Sequence, residues 1–313
     1  MARVGSKRSV GLEIDTGAVR AVEATGTASS PRLINLAEVP LPAGAVEEGM
    51  ILQPLEVGAA LEEMWSSGKI KYRKVLLGVS NQGVLVRYST IPKVPKDKLD
   101  AVIRFHAQEL LPIPLENVVM DYMIIGETEN DEGNNMLQVL LVAARRDMLN
   151  GFMSALTAAK LEPADIDVST LALMHILPQA AHDRTVAVVN INNGLSNILV
   201  SSNMSPRLAR LVSVKVKDLA EQLKVPLDNV ISESAIVTDV RQELYYSWMK
   251  TLINETRSSL NYYQNQNGSS EIEAIMLNGR GARLGNLTAN MQKALQLPVK
   301  IVNPFAGYVN SGM

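Results

Sequence analysis

Residues 8–25, RSVGLEIDTGAVRAVEAT, alternate apolar and polar positions around Thr16-Gly17, which predicts strand, tight turn, strand. Residues 31–41 continue as a strand, and Pro42 to Gly49 is turn-rich. From Pro54 to Ser67 the apolar side chains of Val57, Ala60, Leu61, Met64 and Trp65 recur at helical spacing. KVLLGVS (74–80) is a nearly unbroken apolar run, the pattern of a strand buried on both faces.

A second block, 81–170, has its own rhythm. GVLVRYSTI (83–91) reads as a strand, and Asp97–Leu111 as a helix with Leu99, Val102, Ile103, His106 and Leu110 on one side. Pro112 and Pro114 then stop that helix. NVVMDYMIIG and MLQVLLVAA flank the polar stretch 127–135, which predicts a hairpin. A helix over 147–160 and a strand over 163–168 complete the block. From Arg184 the opening pattern returns in TVAVVNINNGLSNILVSSN, a strand, a polar turn at 192–194 and a returning strand. Helices are expected over 216–223 and 243–266. EIEAIMLNGRGARLGNL then reads as strand, glycine turn and helix start, and PVKIVNP as a last strand. Two strand–turn–strand units about 175 residues apart predict an internally duplicated, two-lobed α/β architecture.

Composition narrows the chemistry. The 313 residues carry 30 basic and 32 acidic side chains, a formal net charge of −2, which argues against binding nucleic acid by bulk electrostatics. The absence of cysteine removes disulfides, zinc-thiolate sites and cysteine nucleophiles. No apolar run approaches the roughly 20 residues that span a bilayer, so direct membrane insertion is not expected. Arg3, Lys7 and Arg8 imitate the charged start of a signal peptide, but Glu13 and Asp15 interrupt the apolar stretch behind them. A cytoplasmic location follows as the expectation.

GLEIDTGAVRAVE, IPKVP with VIRFHAQELLPIPLENVVMDY, LLVAARRDML, LEPADIDVSTLAL, VNINNGLSNI, NETRSSLNYY and MLNGRGARLGNL together resemble the PilM family. That family is the cytoplasmic, actin-like component of type IV pilus assembly and is related to the cell-division protein FtsA. The resemblance implies a two-lobed actin-like fold, duplicated on the ribonuclease H plan, with an FtsA-type α+β insert. The expected divisions are 8–81 for the first part of lobe one, 82–167 for the insert, 168–183 for the rest of lobe one, and 184–313 for lobe two, with helices over 216–266. It also implies ATP with Mg²⁺ between the lobes, and binding of the cytoplasmic N-terminal tail of PilN, a single-pass inner-membrane protein. The protein would then be recruited to the inner face of the cytoplasmic membrane, with the pilus assembly ATPase as a further partner. In the family a further helix completes the first lobe beyond Met313, so either the chain is a truncated form or that lobe closes differently.

Carried residue by residue, the resemblance places the nucleotide on Glu13, Thr16, Gly17 and Arg20 of the first turn and on Asn190, Asn193, Gly194 and Ser196 of the second. Gly279 and Gly281 of a third turn, with Glu255 and Ser259 of a neighbouring helix, complete the set. Glu13 is the candidate Mg²⁺ ligand. Glycine-bearing turns suit phosphates because their backbone N–H groups can approach closely. Four positions depart from the family pattern: Asp15 replaces a glycine, Asn190 an acidic residue, Asn192 a glycine, and Arg280 stands between the two glycines. A carboxylate at 15 would repel a triphosphate unless a metal or Arg20 compensates. On the plain reading Asp15-Thr16-Gly17 is ordinary turn chemistry. ATP turnover is therefore not expected.

For the partner peptide the candidates are Arg104, Gln108, Leu111 and Ile113, with apolar residues to hold an extended peptide and polar groups to fix its backbone. Alternatively, Leu111 and Ile113 simply fasten the insert. Two other functions are open to this sequence. A sugar-kinase-like phosphotransferase would need a carboxylate base, for which Asp165, Asp167 and Asp239 are available. An FtsA-like filament former would call for a C-terminal amphipathic helix, and the chain ends in YVNSGM. His106, His175 and His182 are scattered, and the acidic run Glu127–Glu132 lacks EF-hand spacing.

Overall fold

The computed structural model describes residues 8–27, 30–231, 239–266 and 268–310. Arg3, Lys7 and the side chain of Asp239 lie outside them. The chain forms two units, one of Met1–Asn81 with Met153–Met313 and one of Gln82–Phe152.

In the larger unit β1 (Ser9–Asp15) and β2 (Ala18–Thr27) make the expected hairpin, with Asp15 opposite Ala18 across Thr16-Gly17. β3 (Ser30–Pro40) pairs antiparallel with β2, and β4 (Val46–Glu47) and β5 (Met50–Ile51) form a short ribbon. Helix α1 (Pro54–Ser67) starts with proline in its first turn, where no N–H partner is lost. It buries Val57, Ala60, Leu61, Met64 and Trp65, the stripe predicted by periodicity. β6 (Lys74–Val79) runs parallel to β1. It departs from the double-sided burial expected of it: Leu76 is 45% exposed, because no described residue covers that face there.

The smaller unit contains β7 (Val84–Pro92), α2 (Lys96–Leu110), β8 (Val118–Glu129) and β9 (Asn135–Arg145), with sheet order β7-β9-β8. Leu111, forced out of the helical region by Pro112, is extended at φ −100° and ψ 129°. Ile91, Leu99, Ile103, Ala107, Leu111, Leu137 and Leu141 make the core of this unit. At the β8–β9 tip the Asn130 side chain accepts from the N–H groups of Glu132 and Asn134 at 3.1 and 2.8 Å, an ordinary polar turn.

Helix α3 (Arg146–Ala158) leads to β10 (Glu162–Val168), which pairs in parallel with β6 and so lies in the first-lobe sheet. After α4 (Ser169–Ala172) come β11 (Thr185–Ile191), β12 (Ser196–Ser202), β13 (Ser205–Val212) and α5 (Val216–Leu223). α6 (Asp239–Gln264), β14 (Ala274–Asn278), α7 (Leu287–Leu295), β15 (Val299–Ile301) and β16 (Val309–Asn310) follow. The two sheets share one plan. β3-β2-β1-β6-β10 in the first lobe, with β16 outside β3, corresponds strand for strand to β13-β12-β11-β14-β15 in the second. Every residue of β11 and β12 is buried, so this hairpin is the apolar spine of its lobe.

Candidate functional site

The β1–β2 and β11–β12 turns meet directly. Asp15 ends β1 and points across to the second turn, where its Oδ2 accepts from Asn193 N at 3.3 Å and its Oδ1 from Gly194 N at 3.2 Å. Oδ1 also accepts from the N–H of Thr16 at 2.7 Å. In return the Asn193 side-chain amide donates to the Thr16 carbonyl at 3.1 Å. Gly194 is required by this approach: a Cβ there would lie 2.3 Å from Thr16 Oγ1 and 3.1 Å from Asp15 Oδ1. Asp15, Thr16 and Asn193 are all buried, and Thr16 Oγ1 and Asn193 Oδ1 have no hydrogen-bond partner among the described residues.

Arg20 organises the acidic groups around this contact. Its guanidinium bonds Glu38 at 2.7 Å and Glu13 at 3.2 Å and stands 3.7 Å from Asp15. Glu13 also accepts from the side chain of Asn192 at 3.4 Å. Burial raises the Asp15 carboxyl from 3.8 to about 6. Glu13 adds to the rise, while Arg20 and the N–H donors of Thr16 and Asn193 oppose it.

The third turn closes on the second. Gly279, at φ +81°, has no room for a side chain: a Cβ would meet Ile191 O at 2.6 Å and the side-chain oxygens of Asn192 and Asn190 at 2.7 and 2.8 Å. Gly281 packs as closely on Ile191. Asn190 accepts from the Asn278 side chain at 2.8 Å, and Arg280 is held by Asp228 at 2.7 Å rather than aimed between the turns.

Glu13, Thr16, Gly17, Arg20, Asn190, Asn193, Gly194, Gly279 and Gly281 therefore sit on the three turns or beside them. Two other candidates, Ser196 and Ser259, are bonded elsewhere. Ser196 Oγ donates to Val214 O at 2.6 Å, and Ser259 Oγ donates to Glu255 O within α6. Beside the first two turns a cavity of about 20 Å³, lined among others by Glu13, Asp15, Ser80, Asn192 and Asn197, has room for roughly one water molecule. Mg-ATP does not fit this arrangement: the N–H groups that would meet a phosphate are on Asp15, and Glu13 is engaged by Arg20 and Asn192. Among the described residues no group of three or more His, Asp or Glu side chains could hold a metal ion.

Sequence reasoning missed two features that join the lobes. Asn197, buried in β12, accepts through Oδ1 from Ser80 Oγ and Thr170 Oγ1, both at 2.7 Å. A buried asparagine within the apolar run SNILV was the available signal. Lys215 and Lys217 reach Glu48 and Glu47 at 2.6 and 2.7 Å, and nothing local in the sequence marks those pairs.

In the smaller unit a groove of about 220 Å³ is lined by Arg104, Leu115, Val118, Val119, Met120 and Arg146. Arg104 is thus placed as a groove residue, and Gln108 is exposed on the same helix. Leu111 is only 6% exposed and belongs to the core of the unit, against which Ile113 packs.

The family model described as "Type IV pilus assembly protein PilM" matches residues 11–312. Among solved structures, a PilM-PilN type IV pilus biogenesis complex is similar at a TM-score of 0.85 and 26% identity, over 98% of this chain and 91% of that one. The ethanolamine utilization protein EutJ from Carboxydothermus hydrogenoformans shares the fold, with a TM-score of 0.56 and 12% identity over 95% of this chain and 85% of that one. No described helix is long and apolar enough to cross a membrane. With the duplicated sheets, the inserted unit and a match across nearly its whole length, the chain belongs to the PilM family of actin-like type IV pilus assembly proteins.

Proposed function

We propose that this protein is a non-catalytic scaffold of type IV pilus assembly that holds the N-terminal tail of a PilN-like inner-membrane protein and links it to the pilus assembly ATPase. The observation that carries this reading is the similarity, over 98% of the chain, to a PilM solved in complex with PilN. At the turns the Asp15 carboxylate is taken up by backbone N–H groups and Glu13 by Arg20 and Asn192. Asp165 and Asp167 each accept from the N–H of the following residue and are not part of that cavity. A scaffold needs only surfaces, and recruitment through a tail needs no membrane-spanning segment of its own.

The groove of the smaller unit suits such a tail. Val118, Val119 and Met120 bring apolar side chains to its lining and Arg104 and Arg146 bring cations, the Arg146 Nε donating to Glu116 O at 2.9 Å. The test is calorimetric titration of the protein with a synthetic PilN-type tail peptide. Binding in the micromolar range is expected, with at least a tenfold loss in Val119→Asp, whose parent side chain is 47% exposed and so removable without disturbing the core. No heat at high micromolar peptide sinks the reading. Full affinity in Val119→Asp moves the site elsewhere.

A further inference from the structure

Two consecutive backbone N–H groups at the 192–194 turn converge on one carboxylate. Donors arranged in this way form a concave anion site, and an anion is what they are shaped to hold. In this chain the anion is covalently attached: it is Asp15, delivered from the other lobe by the last residue of β1. Three further observations make the contact a built one. The opposing hairpin approaches so closely that a Cβ at 194 would collide with the side chain of Thr16. Asn193 returns a hydrogen bond to the Thr16 carbonyl, so the two turns grip each other in both directions. Arg20 stands behind the carboxylate at 3.7 Å, a cation where an anion must be desolvated.

We propose that the Asp15 carboxylate is a built-in substitute for a phosphate ligand, which occupies the Asn193 and Gly194 N–H groups and holds the two lobes together without nucleotide. A free polyphosphate would have to displace this carboxylate, and its charge would then face Asp15 and Glu13 across a space of water size. Removing the carboxylate therefore has two effects: the N–H groups are released for an external anion, and the joined state of the lobes comes to depend on that anion. The proposal is independent of tail binding in the smaller unit, and each can fail alone.

The absence of cysteine makes the test clean. Leu55→Cys on α1 and Tyr262→Cys on α6, whose parent side chains are 79% and 60% exposed, carry spin labels on the first and second lobes of the larger unit. Pulsed electron spin resonance reads the distance between them, and calorimetry reads the binding of Mg-ATP or inorganic pyrophosphate to the same protein. In the parent chain a single narrow distance is expected, unchanged by millimolar Mg-ATP, with no binding heat. In Asp15→Gly the distribution should broaden, then narrow again with Mg-ATP or pyrophosphate, which should bind at least a hundredfold more tightly than to the parent. Asp15→Ser serves as a second variant if the glycine form does not fold by circular dichroism. Micromolar Mg-ATP binding by the parent overturns the proposal, and so does a folded variant whose lobe distance and anion affinity match the parent.

Discussion

Asp15 is subject to opposed demands. Three N–H donors and Arg20 favour its ionised form, while burial and the neighbouring Glu13 favour the proton, and the second set prevails. A folded-state value raised above the unfolded one means that the native protein holds this proton more tightly. The associated stability is complete below about pH 4 and is lost as pH rises through about 6. A rise from 3.8 to about 6 corresponds to about 3 kcal/mol. Asp15→Asn keeps an acceptor but cannot ionise. Unfolding free energies measured from pH 4 to pH 8 should show the parent losing about 2–3 kcal/mol relative to Asp15→Asn over that span. Parallel profiles would mean that Asp15 does not carry the titration. The groups facing it are Glu13 and Arg20, with Glu38 behind the guanidinium, so the same profile in Arg20→Gln should show a larger loss.

At the scale of elements, the contact between hairpins rests on shape as much as on charge. Gly194→Ala places a methyl group 2.3 Å from Thr16 Oγ1, and overpacking of this kind costs about 1–3 kcal/mol. Thr16→Ala alone should cost little, since its buried hydroxyl has no partner to lose. The double variant should recover part of the Gly194→Ala loss in urea unfolding, whereas strict additivity would mean the two turns do not touch. The hairpins themselves were legible, because alternation about Thr16-Gly17 and Asn192–Gly194 is a local signal and its repetition announced the duplication. The carboxylate at 15 was legible as an anomaly and Arg20 as its compensating charge. Its partners were not, because Asn193 lies 178 residues away and no local pattern encodes which turn faces which. The same limit explains Leu111: helical spacing identifies an apolar face but not what it packs against, and here it is the insert's own core. β10 likewise reads as a short strand wherever it is placed, and only its pairing with β6 assigns it to the first-lobe sheet.

On the scale of the whole molecule, the lobes of the larger unit are also tied by charge. Lys215 and Lys217, at the start of α5, meet Glu48 and Glu47 of the β4–β5 ribbon, and the hydrogen bond that Lys215 donates to Glu48 raises the Lys215 pKa. Half-exposed pairs of this kind contribute about 0.2–1 kcal/mol each. The double variant Lys215→Ala with Lys217→Ala should therefore lower unfolding free energy by about 0.4–2 kcal/mol at low salt, and by clearly less at about 1 M, where screening reaches about 3 Å. Equal losses at both salt concentrations would assign the effect to packing of the lysine stems. A tethered carboxylate has a different consequence. Its local concentration is set by the chain and does not vary with metabolism, whereas a nucleotide's occupancy follows the energy charge of the cell. On the proposed substitution the joined state of the lobes would not follow nucleotide supply, and any timing of pilus assembly would have to come from other components.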